Sequence, residues 1–135
     1  MTNSSISMVS KTIQLGEEDT ILTYKGEGNL SLNEVSHLEF KDKGLTRRII
    51  ITPLKNALTI FEDFQNVLIH IRLEDNGLGN MKIILKMNGK EKEFDTSLVS
   101  CHFILKEDEF NISYQAVDNN HNFISRTNIK IYKED

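Results

Sequence analysis

The sequence predicts an all-β chain folded as one antiparallel up-and-down barrel of roughly eight to ten strands, with a β-sandwich as the alternative. Three observations predict it. Apolar residues recur with a period of two in roughly ten segments between about Ser7 and Tyr132, and no stretch carries a helical period of ordinary length. Short turn signals rich in Gly, Asn and Asp separate the segments, so that sequence neighbours are expected to be spatial neighbours. A meander of this many strands leaves two unpaired edges unless it closes on itself or packs as a sandwich.

The first segment, Ser7 to Leu15, is weak, with Val9, Lys11, Ile13 and Leu15 in its most apolar phase, and the turn Gly16 to Asp19 ends it. Thr20 to Lys25 follows. Gly26 and Gly28 then suggest a bulge or sharp bend, because glycine accepts the positive φ of such kinks. Leu30 and Leu32 continue the alternation, and Val35 to Phe40 is the next strand, with Leu38 and Phe40 in phase. The turn Lys41 to Gly44 leads to Thr46–Thr52, whose run Ile49-Ile50-Ile51 suits a strand buried on both faces. Pro53, the only proline, is expected to end it, since proline cannot donate to a ladder.

Leu58, Ile60 and Glu62 share one face of the next strand. Val67, Ile69, Ile71 and Leu73 set out the cleanest apolar face in the chain, opposite Leu68, His70 and Arg72. Asn88-Gly89 between Met81–Met87 and Lys90–Asp95 is a strong hairpin signal, because a type I′ turn needs positive φ at both central positions. Cys101, Phe103 and Leu105 form one phase, Phe110, Ile112, Tyr114 and Ala116 another, and Ile129 and Ile131 close the pattern. The seven phenylalanines are expected to build the core. The 135 residues form one domain, 1–135, in which 1–6 is expected to be a flexible N-terminus.

A net charge of −4 and a pI near 5.6 argue against sequence-independent nucleic-acid binding. The lone Cys101 precludes an intrachain disulfide and fits a reducing compartment. With no leader-like N-terminus and no run of about 20 apolar residues, the expectation is a soluble cytoplasmic protein that meets neither membrane nor nucleic acid.

No segment carries a self-sufficient catalytic, metal or phosphate motif. His37, His70, His102 and His121 are too scattered for a metal pair, and no metal or cofactor is expected. Cys101 and His102 are adjacent in a strand and point to opposite faces, so neither can activate the other. Arg47 and Arg48 also point opposite ways, and flanking acidic residues offer them ordinary surface partners. His70 and Arg72 share a strand face and could hold an anionic ligand at a barrel mouth, although the same alternation describes a solvated face. Arg126 is the third candidate for ligand binding.

The order of segments resembles the YwiB-like family of small bacterial proteins of unknown function. The resemblance is carried by Tyr24-Lys25-Gly26-Glu27-Gly28, His37-Leu38-Glu39-Phe40, Thr46-Arg47-Arg48-Ile49-Ile50 and Ile69-His70-Ile71-Arg72. It continues in Phe94-Asp95-Thr96, Ile112-Ser113-Tyr114 and Asn128-Ile129-Lys130-Ile131-Tyr132, and departs at Leu73, where the family tends to place glycine. It implies a lipocalin-like, calycin-type barrel and marks Arg72 as matching a family anchor, while a shared fold fixes no activity.

The expected function is binding, without catalysis, of a small apolar or amphipathic acidic ligand whose acidic end meets an arginine near the mouth. The alternative is a filled barrel acting as a protein-interaction or homodimerisation module. Interior volume separates the two.

Overall fold

The alternating segments fold into ten strands. The computed structural model describes residues 3–134. Its strands are β1 (Ser4–Gln14), β2 (Thr20–Gly28), β3 (Ser36–Asp42), β4 (Leu45–Leu54), β5 (Ala57–Phe64), β6 (Val67–Glu74), β7 (Gly79–Met87), β8 (Lys90–Leu105), β9 (Glu109–Val117) and β10 (Phe123–Glu134). Each pairs antiparallel with the next, and β1 pairs with β10, so the sheet closes into an up-and-down barrel. No helix occurs among the described residues.

Turn chemistry sets the register. Asn88 and Gly89, at φ 52° and 74°, join Met87 to its partner Lys90, and Lys43 and Gly44, at 52° and 80°, join Asp42 to Leu45. Two consecutive positive φ values are what a two-residue hairpin matched to strand twist requires. In β8 the predicted segments are one long strand, broken in register between Val99 and His102, where Ser100 has φ 52°. That bulge changes which phase faces inward, from Leu98 before it to Cys101 after it, both buried.

The interior is filled at one end. Ile6, Leu38, Ile51, Leu58, Leu73, Leu98, Phe110 and Ile131 are all at most 3% exposed. The loop between β2 and β3 folds over this end and buries Leu30 in the core. The Ser36 hydroxyl accepts the Ser31 N–H at 2.8 Å, and Asn29 Oδ1 accepts the His37 N–H at 3.2 Å, holding the loop down. The fragment expected as a continued strand is thus a plug, with Leu32 at its exposed edge.

Several expectations are corrected. In β1 the inward phase is Ile6, Met8, Ser10 and Thr12, not Val9, Lys11 and Ile13, because the strand's inner face turns polar toward the open end. Of segment 1–6, Met1 and Thr2 lie outside the described residues, whereas Ser4 opens β1 and Ile6 is wholly buried. Gly26 and Gly28 are neither bulged nor at positive φ; they sit opposite Phe40 and Leu38 in a tight strand pair. A Cβ there would meet the carbonyl oxygens of Glu39 and His37 at 2.0 and 2.2 Å. Their requirement is space.

Pro53 lies within β4, opposite Leu58, beyond the point where β3 stops pairing at Ile51. Ile49 and Ile51 are buried but Ile50 is only half-buried, on the outer wall. Among the phenylalanines, Phe40 and Phe110 belong to the core, while Phe94 is 43% exposed, because β8 pairs with β9 only from Ser97 onward and its hairpin with β7 projects past the ring.

Candidate functional site

In a meander, alternate turns lie at the same end. The turns after β1, β3, β5, β7 and β9 therefore ring the end opposite the Leu30 plug, and inward side chains near those turns line the mouth. Below the mouth lies a cavity of about 220 Å³. Its floor and walls are Met8, Ile49, Ile51, Ile60, Ile71, Ile112, Ile129 and Ile131, and its polar lining is Ser10, Thr12, Tyr24, Arg47, Glu62, Tyr114 and Thr127. The wall comes from core strands that run out of apolar residues toward the mouth. Ile51, Ile49 and Arg47 share one phase of β4; Leu58, Ile60 and Glu62 share one phase of β5.

The neighbouring strands β4 and β5 bring Arg47 and Glu62 together as an ion pair through Arg47 Nη1 and Glu62 Oε1. Both side chains are about four-fifths buried, at 20% and 18% exposure, in contrast to the exposed pairs on the outer wall. Two aromatic rings position the guanidinium: its Cζ lies 4.1 Å from the Phe64 centroid and 5.1 Å from that of Tyr24. Arg47 Nε is buried and has no hydrogen-bond partner among the described residues. A planar guanidinium with a fixed fork of donors, one of them unpaired, is a polar centre with capacity left for an acceptor.

Across the cavity, Tyr114 is 6% exposed. Burial pushes its hydroxyl up to about 12, against the lowering effect of its hydrogen bond with Thr127; the charge of Glu62 adds a smaller upward push. Tyr114 therefore stays a neutral donor and acceptor throughout the physiological range. Thr12 and Thr127 face each other across the β1–β10 ladder with hydroxyls 3.5 Å apart. Cys101 is 8% exposed, and burial pushes its thiol up to about 11, so it is an inert thiol in the core.

The residues singled out from sequence lie elsewhere. Arg72 and His70 are exposed on the outer wall of β6, since Ile71 and Leu73 take the inward phase. Arg72 Nε donates to Glu74 at 2.5 Å, and His70 packs edge-on against Phe61 with centroids 5.1 Å apart. Both border a shallow outer groove with Thr59, Asn80 and Lys82. Arg126 is also exposed; its neighbour Thr127 lines the cavity, and Arg126 itself reaches the Gln115 amide oxygen from Nε and Nη2, at 3.1 and 2.8 Å, in the amide orientation that satisfies both groups. The structure brings none of the three into the barrel mouth. Among the described residues, no group of three or more His, Cys, Asp or Glu is arranged to hold a metal.

Arg47 and Glu62 were within reach of sequence reasoning. Each lies two residues from a buried isoleucine in the same strand phase, which is the signal that separates Arg47 from the outward Arg48, whose Nε lies 3.5 Å from Glu39.

The fold defines an up-and-down β-barrel with one filled end and one polar, open end. The same architecture is found in the crystal structure of the ywiB protein from Bacillus subtilis, which matches with a TM-score of 0.65 over 99% of this chain and 93% of that one, at 15% sequence identity. The likeness is one of fold. No protein-family model and no curated protein sequence matches the chain.

Proposed function

We propose that this barrel binds one small amphipathic molecule in its interior, tail among the isoleucines and polar head at Arg47. The observation that carries the reading is Arg47 itself: a largely buried guanidinium lining the cavity, held by Phe64 and Tyr24, whose buried Nε has no hydrogen-bond partner among the described residues. Buried polar groups normally find partners, and those left without one mark places where a ligand or water completes the set. A volume of about 220 Å³ lies just under the roughly 300–1,000 Å³ of drug-sized pockets, which suits a short ligand. It also favours this reading over a filled barrel that acts through its surface.

Titration of isotopically labelled protein with octanamide, followed by amide NMR shifts, tests the reading. Saturable shifts are expected at Ser10, Thr12, Arg47, Thr127 and Ile129, with His70 and Arg72 on the outer wall unmoved. Shifts confined to the outer wall, or none with octanamide or 1-octanol, would overturn it.

A further inference from the structure

We infer that the site selects a head group of zero net charge that presents a hydrogen-bond acceptor beside a donor, such as a primary amide, and discriminates against a free carboxylate. The inference rests on the binding reading above and names the chemical class of its ligand. It follows from how charge is distributed in the cavity. Of the described residues that line it, only Arg47 and Glu62 are charged, and they are paired. The other titratable groups facing that pair are Tyr24 from β2 and Tyr114 from β9, and the high pKa of Tyr114 keeps it neutral.

The site is thus electrically balanced. A carboxylate brought to Arg47 also comes within reach of the Glu62 carboxylate, so attraction and repulsion largely cancel while the ligand still loses its hydration. An alkylammonium faces the mirror problem, attracted by Glu62 and repelled by Arg47. A head with an acceptor and a donor side by side meets neither. Its oxygen takes a free guanidinium N–H, its N–H takes the unused lone pairs of Glu62, and the ion pair need not separate. The hydroxyls of Ser10, Thr12, Tyr114 and Thr127 can serve as either partner, so they add affinity without changing this order. Glu62 is therefore the residue that determines specificity: it converts a general anion site into one for neutral heads.

Calorimetric titration of the whole protein with octanamide, octanoate and octylammonium near neutral pH tests this, because the three share one tail. Octanamide is expected to bind roughly tenfold or more tightly than either ion. Any octanoate that does bind should bring a proton with it, seen as a dependence of the binding heat on the buffer's ionisation enthalpy and as tighter binding at lower pH. Glu62→Gln should reverse the order, raising octanoate affinity by about tenfold or more so that octanoate binds more tightly than octanamide. Should Glu62→Gln fail to fold, the order of the three ligands and the proton uptake in the unaltered protein still decide. Octanoate binding as tightly as octanamide without proton uptake would overturn the inference and leave the binding reading intact. Failure of all three ligands to bind would overturn the binding reading itself.

Discussion

Gly26→Ala tests whether the barrel closes through a seam that leaves no room for a side chain. β2 and β3 are joined by three register pairs, Gly26–Phe40, Glu27–Glu39 and Gly28–Leu38, against seven between β3 and β4. A methyl group at residue 26 would stand 2.0 Å from the Glu39 carbonyl oxygen and 2.9 Å from the Phe40 Cα, both rigid backbone atoms. Reaching the 3.4 Å of ordinary contact needs about 1.4 Å of separation, enough to break ladder hydrogen bonds. Overpacking of this kind costs about 1–3 kcal/mol. Losing two or three ladder bonds at about 1 kcal/mol each brings the total to roughly 3–6 kcal/mol. Gly16→Ala is the control: its Cβ meets open space, but φ of +78° makes the site mildly unfavourable, at a cost of about 1 kcal/mol. Urea denaturation followed by far-ultraviolet circular dichroism reads both, and hydrogen exchange at β2 and β3 amides shows whether the seam has opened. If Gly26→Ala costs no more than Gly16→Ala, the close approach is not a rigid requirement and the argument fails.

Ile71→Ala removes a core side chain that is 5% exposed and should cost about 2–5 kcal/mol, while His70→Ala, on the outer wall, should cost far less. Denaturation curves that rank them the other way would invert the assigned phase of β6. Arg72→Ala breaks an exposed pair with Glu74 and should change stability by less than about 1 kcal/mol in the same measurement. Arg47→Met leaves Glu62 without its partner in a largely buried place and should cost about 1–3 kcal/mol, most of it recovered in the double variant Arg47→Met/Glu62→Leu. For Tyr114 the folded pKa of about 12 exceeds the ordinary tyrosine value of 10.0, so between these values the unfolded chain holds fewer protons than the folded one. Stability must then fall as pH rises from 10 toward 12, by about 2–3 kcal/mol over the window. Spectrophotometric titration should show the Tyr114 phenol ionising late in the folded protein, and earlier once the protein is unfolded.

Strand phase was legible wherever apolar residues filled one side of a strand. Ile71 and Leu73 in β6, and Phe110, Ile112, Tyr114 and Ala116 in β9, are buried as alternation predicts, and Glu62 shares its phase with Leu58 and Ile60. The same rule misread β1. Its inner side carries Ser10 and Thr12 where the barrel opens, so the more apolar outer side looked like the core. The site suffered from this more than the fold. A polar side chain facing an interior breaks the pattern used to find interiors, and Arg47 next to Arg48 looks like a surface pair until Ile49 and Ile51 are used to fix its phase. Arg72 lies in the most regular strand, and regularity there means that its polar positions face outward. The close approach at Gly26 and Gly28 had no local signal, because the atoms that forbid a Cβ come from β3.

The β1–β10 seam has a consequence for how the chain reaches its fold. The register runs from Ser5–Glu134 to Gln14–Ser125, and the hydrogen bond from Ser7 to Glu134 spans 127 positions. Each other ladder joins consecutive strands and can form soon after its hairpin does, whereas this one waits for the whole meander. Until β10 arrives, β1 and β9 present open edges with unpaired N–H and C=O groups, an invitation to pair with another chain. Such distant contacts slow folding, because loop-closure entropy is lost before the contacts form. The vulnerable species is therefore a nine-strand open sheet awaiting its last strand. Substitutions that weaken β10, such as Asn128→Pro or Lys130→Pro, should lower the soluble yield during synthesis as well as the stability of the closed barrel.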